Sequence, residues 1–97
     1  MLTPKQRRYL KGLAHSLAPV VRVGKGGLTN SLVDETKKSL LAHELIKVRI
    51  EEDDADKRQQ AAAKLGVATD SHVAGLVGKV AILYRPRDEK PKIKLPE

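Results

Sequence analysis

Val20-Val21-Arg22-Val23-Gly24-Lys25-Gly26-Gly27-Leu28-Thr29 joins a β-branched run to a Gly-x-x-Gly turn, with helix-forming sequence directly behind it. A strand that feeds a helix through so short a turn is the start of a β-α-β unit, and this reading decides the fold class. Glycine leaves the backbone of the turn open to close approach by a large ligand and tolerates positive φ. A helix start behind such a turn offers free N–H groups, which favour a phosphate. Lys25 adds a mobile cation at the tip. If the chain needs positive φ at Gly24, a β-branched residue there would strain it.

Outward from this turn, the N-terminal side reads as a helix over 4–17. Thr3 is its N-cap, Pro4 suits the first helical position and Gln6 completes a capping box. Leu10, Leu13 and Leu17 recur at helical spacing and predict a buried stripe, with Arg7, Arg8 and Lys11 on the opposite side. Residues 1–25 carry Lys5, Arg7, Arg8, Lys11, Arg22 and Lys25 and no acid. Each cation taken singly suits a solvated helix surface. The run without acids is what raises a polyanion-binding reading.

On the C-terminal side, 19–23 reads as the first strand. Thr29 or Asn30 caps a second helix, with Leu32, Val33, Thr36 and Leu40 on one face, ending near His43. Residues 44–51 form the clearest strand: Ile46, Val48 and Ile50 alternate with Lys47 and Arg49. Five of the six residues 51–56 are acidic, which suits the start of a third helix better than a metal loop, because the spacing is not that of an EF-hand. That helix is expected over 56–65 with Gly66 as its stop. Runs 72–77 and 80–85 flank Gly78-Lys79 as a hairpin. The order is α-β-α-β-α-β-β, predicting a single compact α/β domain over 1–85 with a mixed four-stranded sheet. Residues 86–97 hold three prolines and alternating charges and are expected to be an extended tail without a core role, dispensable for folding.

Composition narrows the chemistry. The 97 residues carry 19 Lys and Arg against 12 Asp and Glu, a net charge of +7, which favours polyanions. The chain has no Cys, so disulfides, thiolate catalysis and Cys-ligated zinc are excluded. The segment 24–29 lacks the Gly-Lys-Ser/Thr of a nucleotide-hydrolysing P-loop and the Gly-x-Gly-x-x-Gly of a dinucleotide site. His15, His43 and His72 are scattered, and no nucleophile setting surrounds any serine. The expectation is therefore no enzyme, no cofactor, no metal, no small-molecule substrate and no membrane partner, in a cytoplasmic protein. Tyr9 and Tyr84 are the only aromatic residues among Phe, Trp and Tyr, too few for a base-stacking platform. RNA would be held through phosphates and sugars, with structured RNA preferred over free single strands. A DNA-binding module and an RNA-independent protein adaptor are the rival readings.

Leu10-Lys11-Gly12-Leu13-Ala14-His15, then Pro19-Val20-Val21, Val23-Gly24 and Gly27-Leu28-Thr29, then His43-Glu44-Leu45-Ile46-Lys47-Val48, then Val77-Gly78-Lys79 and Leu83-Tyr84-Arg85-Pro86 together resemble the CRM domain, the chloroplast RNA splicing and ribosome maturation domain. The length matches its stand-alone bacterial, YhbY-type members. The resemblance implies a fold similar to the C-terminal domain of translation initiation factor 3, and a Gly-x-x-Gly loop comparable to the backbone clamp of KH domains. It also implies a role in ribosome assembly, with ribosomal RNA in large-subunit precursors as partner. Carried onto this chain, the RNA-contacting residues are Gly24, Lys25, Gly26 and Gly27, extended by Arg22, Lys5, Arg7, Arg8 and Lys11. Residues 67–76 depart from the family pattern.

Overall fold

A computed structural model describes residues 2–97. Its elements run α1 (Pro4–Ala14), β1 (Pro19–Val23), α2 (Asn30–His43), β2 (Leu45–Ile50), α3 (Ala55–Ala68), β3 (His72–Val77) and β4 (Val80–Tyr84). The four strands form one sheet in the order β1-β2-β4-β3. β1 lies parallel to β2, and β4 is antiparallel to both β2 and β3. The expected α/β class, element order and mixed sheet are all present.

Alternation along the strands builds two cores. Val21, Val23, Ile46, Val48, Ile50, Ala81 and Leu83 meet Leu40 of α2 and Ala62 and Leu65 of α3 on one face. Leu45, Ile82, Tyr84 and Ala74 meet Leu2, Leu10 and Ala14 on the other. α2 and α3 therefore cover one face and α1 covers the second.

Local signals explain the helix starts. Thr3 Oγ1 accepts the Gln6 N–H at 3.1 Å while Thr3 N–H donates to Gln6 Oε1 at 3.0 Å, completing the capping box. Thr29, rather than Asn30, caps α2 by accepting the Leu32 N–H at 3.1 Å. Asp54 caps α3 through the Lys57 N–H at 3.1 Å.

Four expectations are corrected. Helix α1 stops at Ala14, and its buried residues are Leu10 and Ala14, whereas Leu13 and Leu17 are each 39 % exposed. Helical spacing marks an apolar side without saying how much of it the sheet covers, and Leu17 lies beyond the end of the helix. Helix α3 continues through Gly66 to Ala68; a Cβ at Gly66 would lie 3.0 Å from Val73 Cγ2, so the glycine permits close packing on β3. The left-handed residue that ends the segment is Asp70, at φ 53°. In the turn after β1, positive φ falls on Gly27 (76°) and not on Gly24.

The fourth concerns residues 86–97, which carry no helix or strand yet lie docked on the α1 side of the sheet. Ile93 and Leu95 pack against the second core. Arg87 Nε and Nη2 donate to the Leu41 and Ala42 carbonyls, at 3.1 and 2.8 Å, capping the C-terminus of α2. Gln6 Nε2 donates to the Pro96 carbonyl at 3.0 Å. Two aliphatic side chains and a buried acceptor, Glu44, are enough to hold a segment whose composition reads as solvated.

Candidate nucleic-acid interface

Parallel pairing of β1 with β2 places the residues after Val23 beside those after Ile50. The Glu51 N–H donates to the Val23 carbonyl at 2.9 Å, and the Ile50 N–H donates to the Lys79 carbonyl at 2.7 Å. Three loops thus meet at one end of the sheet: the glycine turn, the acidic segment 51–54 and the hairpin tip at Gly78 and Lys79.

The glycine turn is a closed β-turn, with the Gly27 N–H donating to the Gly24 carbonyl at 3.0 Å. All four of its residues are exposed. A Cβ added at Gly24, Gly26 or Gly27 would meet nothing within 4 Å, so the protein itself does not fill the space against this backbone. Helix α2 begins at Asn30, three residues beyond Gly27, and its cap already takes the Leu32 N–H.

The turn borders a cleft of about 290 Å³ whose lining includes Gly24, Lys25, Gly27, Glu51, Glu52 and Lys57. Glu51 pairs with Arg49 and lies 3.8 Å from Arg22 Nε. The hydrogen bond from Arg49 is the main cause that holds the Glu51 carboxyl below its usual range, against the opposing effect of burial. Lys79 Nζ donates to Asp53 Oδ1 at 2.7 Å and lowers the Asp53 pKa in the same way. Glu51 and Asp53 are thus matched with cations, while Glu52, which also lines the cleft, forms no salt bridge among the described residues. Among the described residues, Lys25 and Lys57 form no salt bridge.

The cations named from the sequence fall into two groups. Arg22 and Lys25 stand at the same end of β1, and the Arg22 side chain is 72 % exposed despite its contact with Glu51. Lys5, Arg7, Arg8 and Lys11 stand on α1. Arg7 donates to the Leu2 carbonyl at 3.3 Å and borders β3, the edge strand opposite β1. The Lys11 stem lies against Gly75 of β3, where a Cβ would collide with its Cε. Lys47 has a structural duty: its Nζ donates to the Leu17 carbonyl at 2.9 Å just beyond α1. The acidic side of the turn, with Lys57 and Lys79, was missed by sequence reasoning. The signal was present, because parallel strands bring their C-terminal loops together.

His15 follows the end of α1, His43 ends α2 and His72 starts β3, where it stacks on Tyr84 at a centroid distance of 6.4 Å. Among the described residues no group of three or more His, Cys, Asp or Glu is placed to hold a metal, and no helix is long and apolar enough to cross a membrane.

Comparison with known proteins bears on this surface. The family model for the CRS1 / YhbY (CRM) domain matches residues 2–85. A Haemophilus influenzae protein named "RNA-binding protein" is 40 % identical over 95 residues, covering 98 % of this chain and 95 % of the relative. A Bacillus subtilis relative, "Probable RNA-binding protein YqeI", is 34 % identical and covered over its full length, with 99 % of this chain aligned. The solution structure of SAV1595 from Staphylococcus aureus superposes with a TM-score of 0.88 at 36 % identity, over 99 % of this chain and all of the other.

Proposed function

The chain belongs to the CRS1 / YhbY (CRM) domain family, and from that premise we propose that it binds structured RNA and acts without catalysis in assembly of the large ribosomal subunit, in the cytoplasm. The observation that carries the reading is the open backbone of the turn 24–27 with an exposed lysine at its tip. RNA phosphates approach Gly24, Gly26 and Gly27 closely, and Lys25 supplies the charge. Arg22 extends this contact. The pairing of Glu51 and Asp53 with Arg49 and Lys79 limits the repulsion an incoming phosphate meets. Lys5, Arg7, Arg8 and Lys11 form a second cationic group over β3 and β4, suited to another part of a folded RNA. The names borne by the relatives from Haemophilus influenzae and Bacillus subtilis support RNA as the partner.

Ultraviolet crosslinking in cells, with mapping of the crosslinked nucleotides, tests this. Crosslinks are expected within large-subunit ribosomal RNA. Crosslinks confined to other RNAs would overturn the assembly role, and a lack of RNA crosslinks would overturn the RNA reading.

A further inference from the structure

The end of helix α1 and the segment that leads from it into β1 carry apolar side chains that the fold leaves partly uncovered. Leu13 and Leu17 are each 39 % exposed, and Val20 at the start of β1 is 48 % exposed. They line one groove of about 410 Å³, with Leu45, Ile46 and Ile93 completing its apolar wall. This volume lies within the range of roughly 300–1,000 Å³ typical of ligand clefts. The walls are fixed in place. Lys47 Nζ holds the Leu17 carbonyl at 2.9 Å, and Ile93 follows Lys92, whose N–H is bound by Glu44. A preformed groove loses little entropy on binding.

We propose that this groove docks a partner protein through an apolar segment flanked by carboxylates. Charge decides the occupant. No acid precedes Asp34 in the chain, and Ile93 sits between Lys92 and Lys94. The lining itself holds no carboxylate. Glu44, next to His43, is fully buried with its oxygens engaged by Arg87 and Lys92. An aliphatic floor bordered by Lys47 at the Leu17 carbonyl and by the two lysines that flank Ile93 fits apolar side chains between acidic ones. A second copy would bring the same surround and a net charge of +7, so self-association is repelled. Nucleic acid would suit the surround, but the lining offers a single ring, the His43 imidazole, and so no platform on which successive bases could stack. The groove shares no lining residue with the glycine-turn cleft, so the proposal stands apart from RNA binding there.

The test uses the full chain and two synthetic helical peptides. Both carry leucines at i, i+3, i+4 and i+7; one has glutamates at the remaining positions, the other lysines. The glutamate peptide is expected to bind saturably and to shift the amide resonances of Leu13, Leu17, Val20 and Ile93. The lysine peptide, and the Leu17→Glu variant with the glutamate peptide, are expected to bind at least tenfold more weakly, with unchanged circular dichroism. Val20→Lys replaces Leu17→Glu if that variant melts early. The proposal is overturned by no saturable binding, by equal binding of the two peptides, or by resonance shifts elsewhere. It is overturned equally if sedimentation finds a dimer that Leu17→Glu dissolves, or if structured RNA shifts the groove amides.

Discussion

Glu44 Oε1 accepts the backbone N–H of Lys92, 48 positions further along the chain. The same carboxylate accepts the Arg87 N–H through Oε2 at 3.3 Å, and the Glu44 carbonyl accepts the Arg85 N–H at 2.9 Å. Glu44 ends α2 at φ 62° and is fully buried. A buried carboxylate is tolerated only where its oxygens are satisfied, and here the partners are the backbone of the C-terminal segment. The residue that turns the chain out of α2 is thus also the anchor of residues 86–97.

Removing that anchor is expected to destabilise the fold. Glu44→Ala leaves the N–H groups of Arg87 and Lys92 without their acceptor and keeps a Cβ at positive φ. Hydrogen bonds to charged groups contribute about 1.5–3 kcal/mol. Urea denaturation should show a loss of that order. Deleting 86–97 should lower the melting midpoint as well, because it uncovers Leu45 and Tyr84 and orphans the carboxylate. A variant melting with the parent in both cases would show that the segment contributes nothing.

The glycines of the turn separate scaffold from contact. Gly27→Val places a β-branched residue at φ 76°. Such strain costs on the order of 1–3 kcal/mol. Gly24 has no positive φ and faces open space, so Gly24→Val should stay within about 0.5 kcal/mol of the parent. If RNA uses that space, the Gly24 variant loses affinity while keeping its melting curve. Equal destabilisation by the two substitutions would contradict this division.

How much was legible in the sequence follows from which forces act locally. Thr3 with Gln6, Asp54 and the alternation of Ile46, Val48 and Ile50 are short-range signals, and each appears where its chemistry places it. Leu13 differs from its reading because periodicity marks an apolar side of a helix without saying how much of it the sheet covers, and Leu17 because the helix ends at Ala14. Gly66 looked like a helix stop because its packing partner, Val73, lies in another element. The tail was misread because its anchor is Glu44, a charged residue whose burial depends on partners more than 40 positions away. At the candidate site, the glycine turn and Arg22 were visible, while its acidic neighbours required the pairing of β1 with β2.

Tyr84 should report on the same anchor. Burial first, and then the charge of Glu44, hold its phenol above the usual 10.0. The folded pKa is raised, so this contribution to stability is complete below about pH 10 and is lost as pH rises through the folded value. Ultraviolet titration of tyrosinate in a Tyr9→Phe variant isolates Tyr84. Its midpoint should lie above that of free tyrosine and fall when 86–97 are deleted. A midpoint at the free value in the intact chain would show the ring to be solvated.

RNA affinity should depend steeply on salt. Phosphate contacts release counterions, and about four to six contacts from the cations on β1, the turn and α1 give a log–log slope on the order of −3 to −5. Titration of a labelled structured RNA across a series of salt concentrations measures it. A flat response would rule out phosphate contacts as the source of affinity.

Lys25→Glu is the most direct test of the turn. Lys25 is exposed and, among the described residues, forms no salt bridge, so its replacement should change stability by within about 0.5 kcal/mol. The cleft beside it already holds Glu51 and Glu52, and a further carboxylate would turn a cation that attracts phosphate into a repulsive group. The expected loss of RNA affinity is about 1–3 kcal/mol. Lys11→Glu is the contrast: its stem lies against Gly75, so that variant should lose stability as well as affinity. Anisotropy with a structured RNA, paired with thermal melts, reads both quantities. If Lys25→Glu binds as tightly as the parent at moderate salt while Lys11→Glu does not, RNA is held over β3 and β4, and the glycine turn serves only to join β1 to α2.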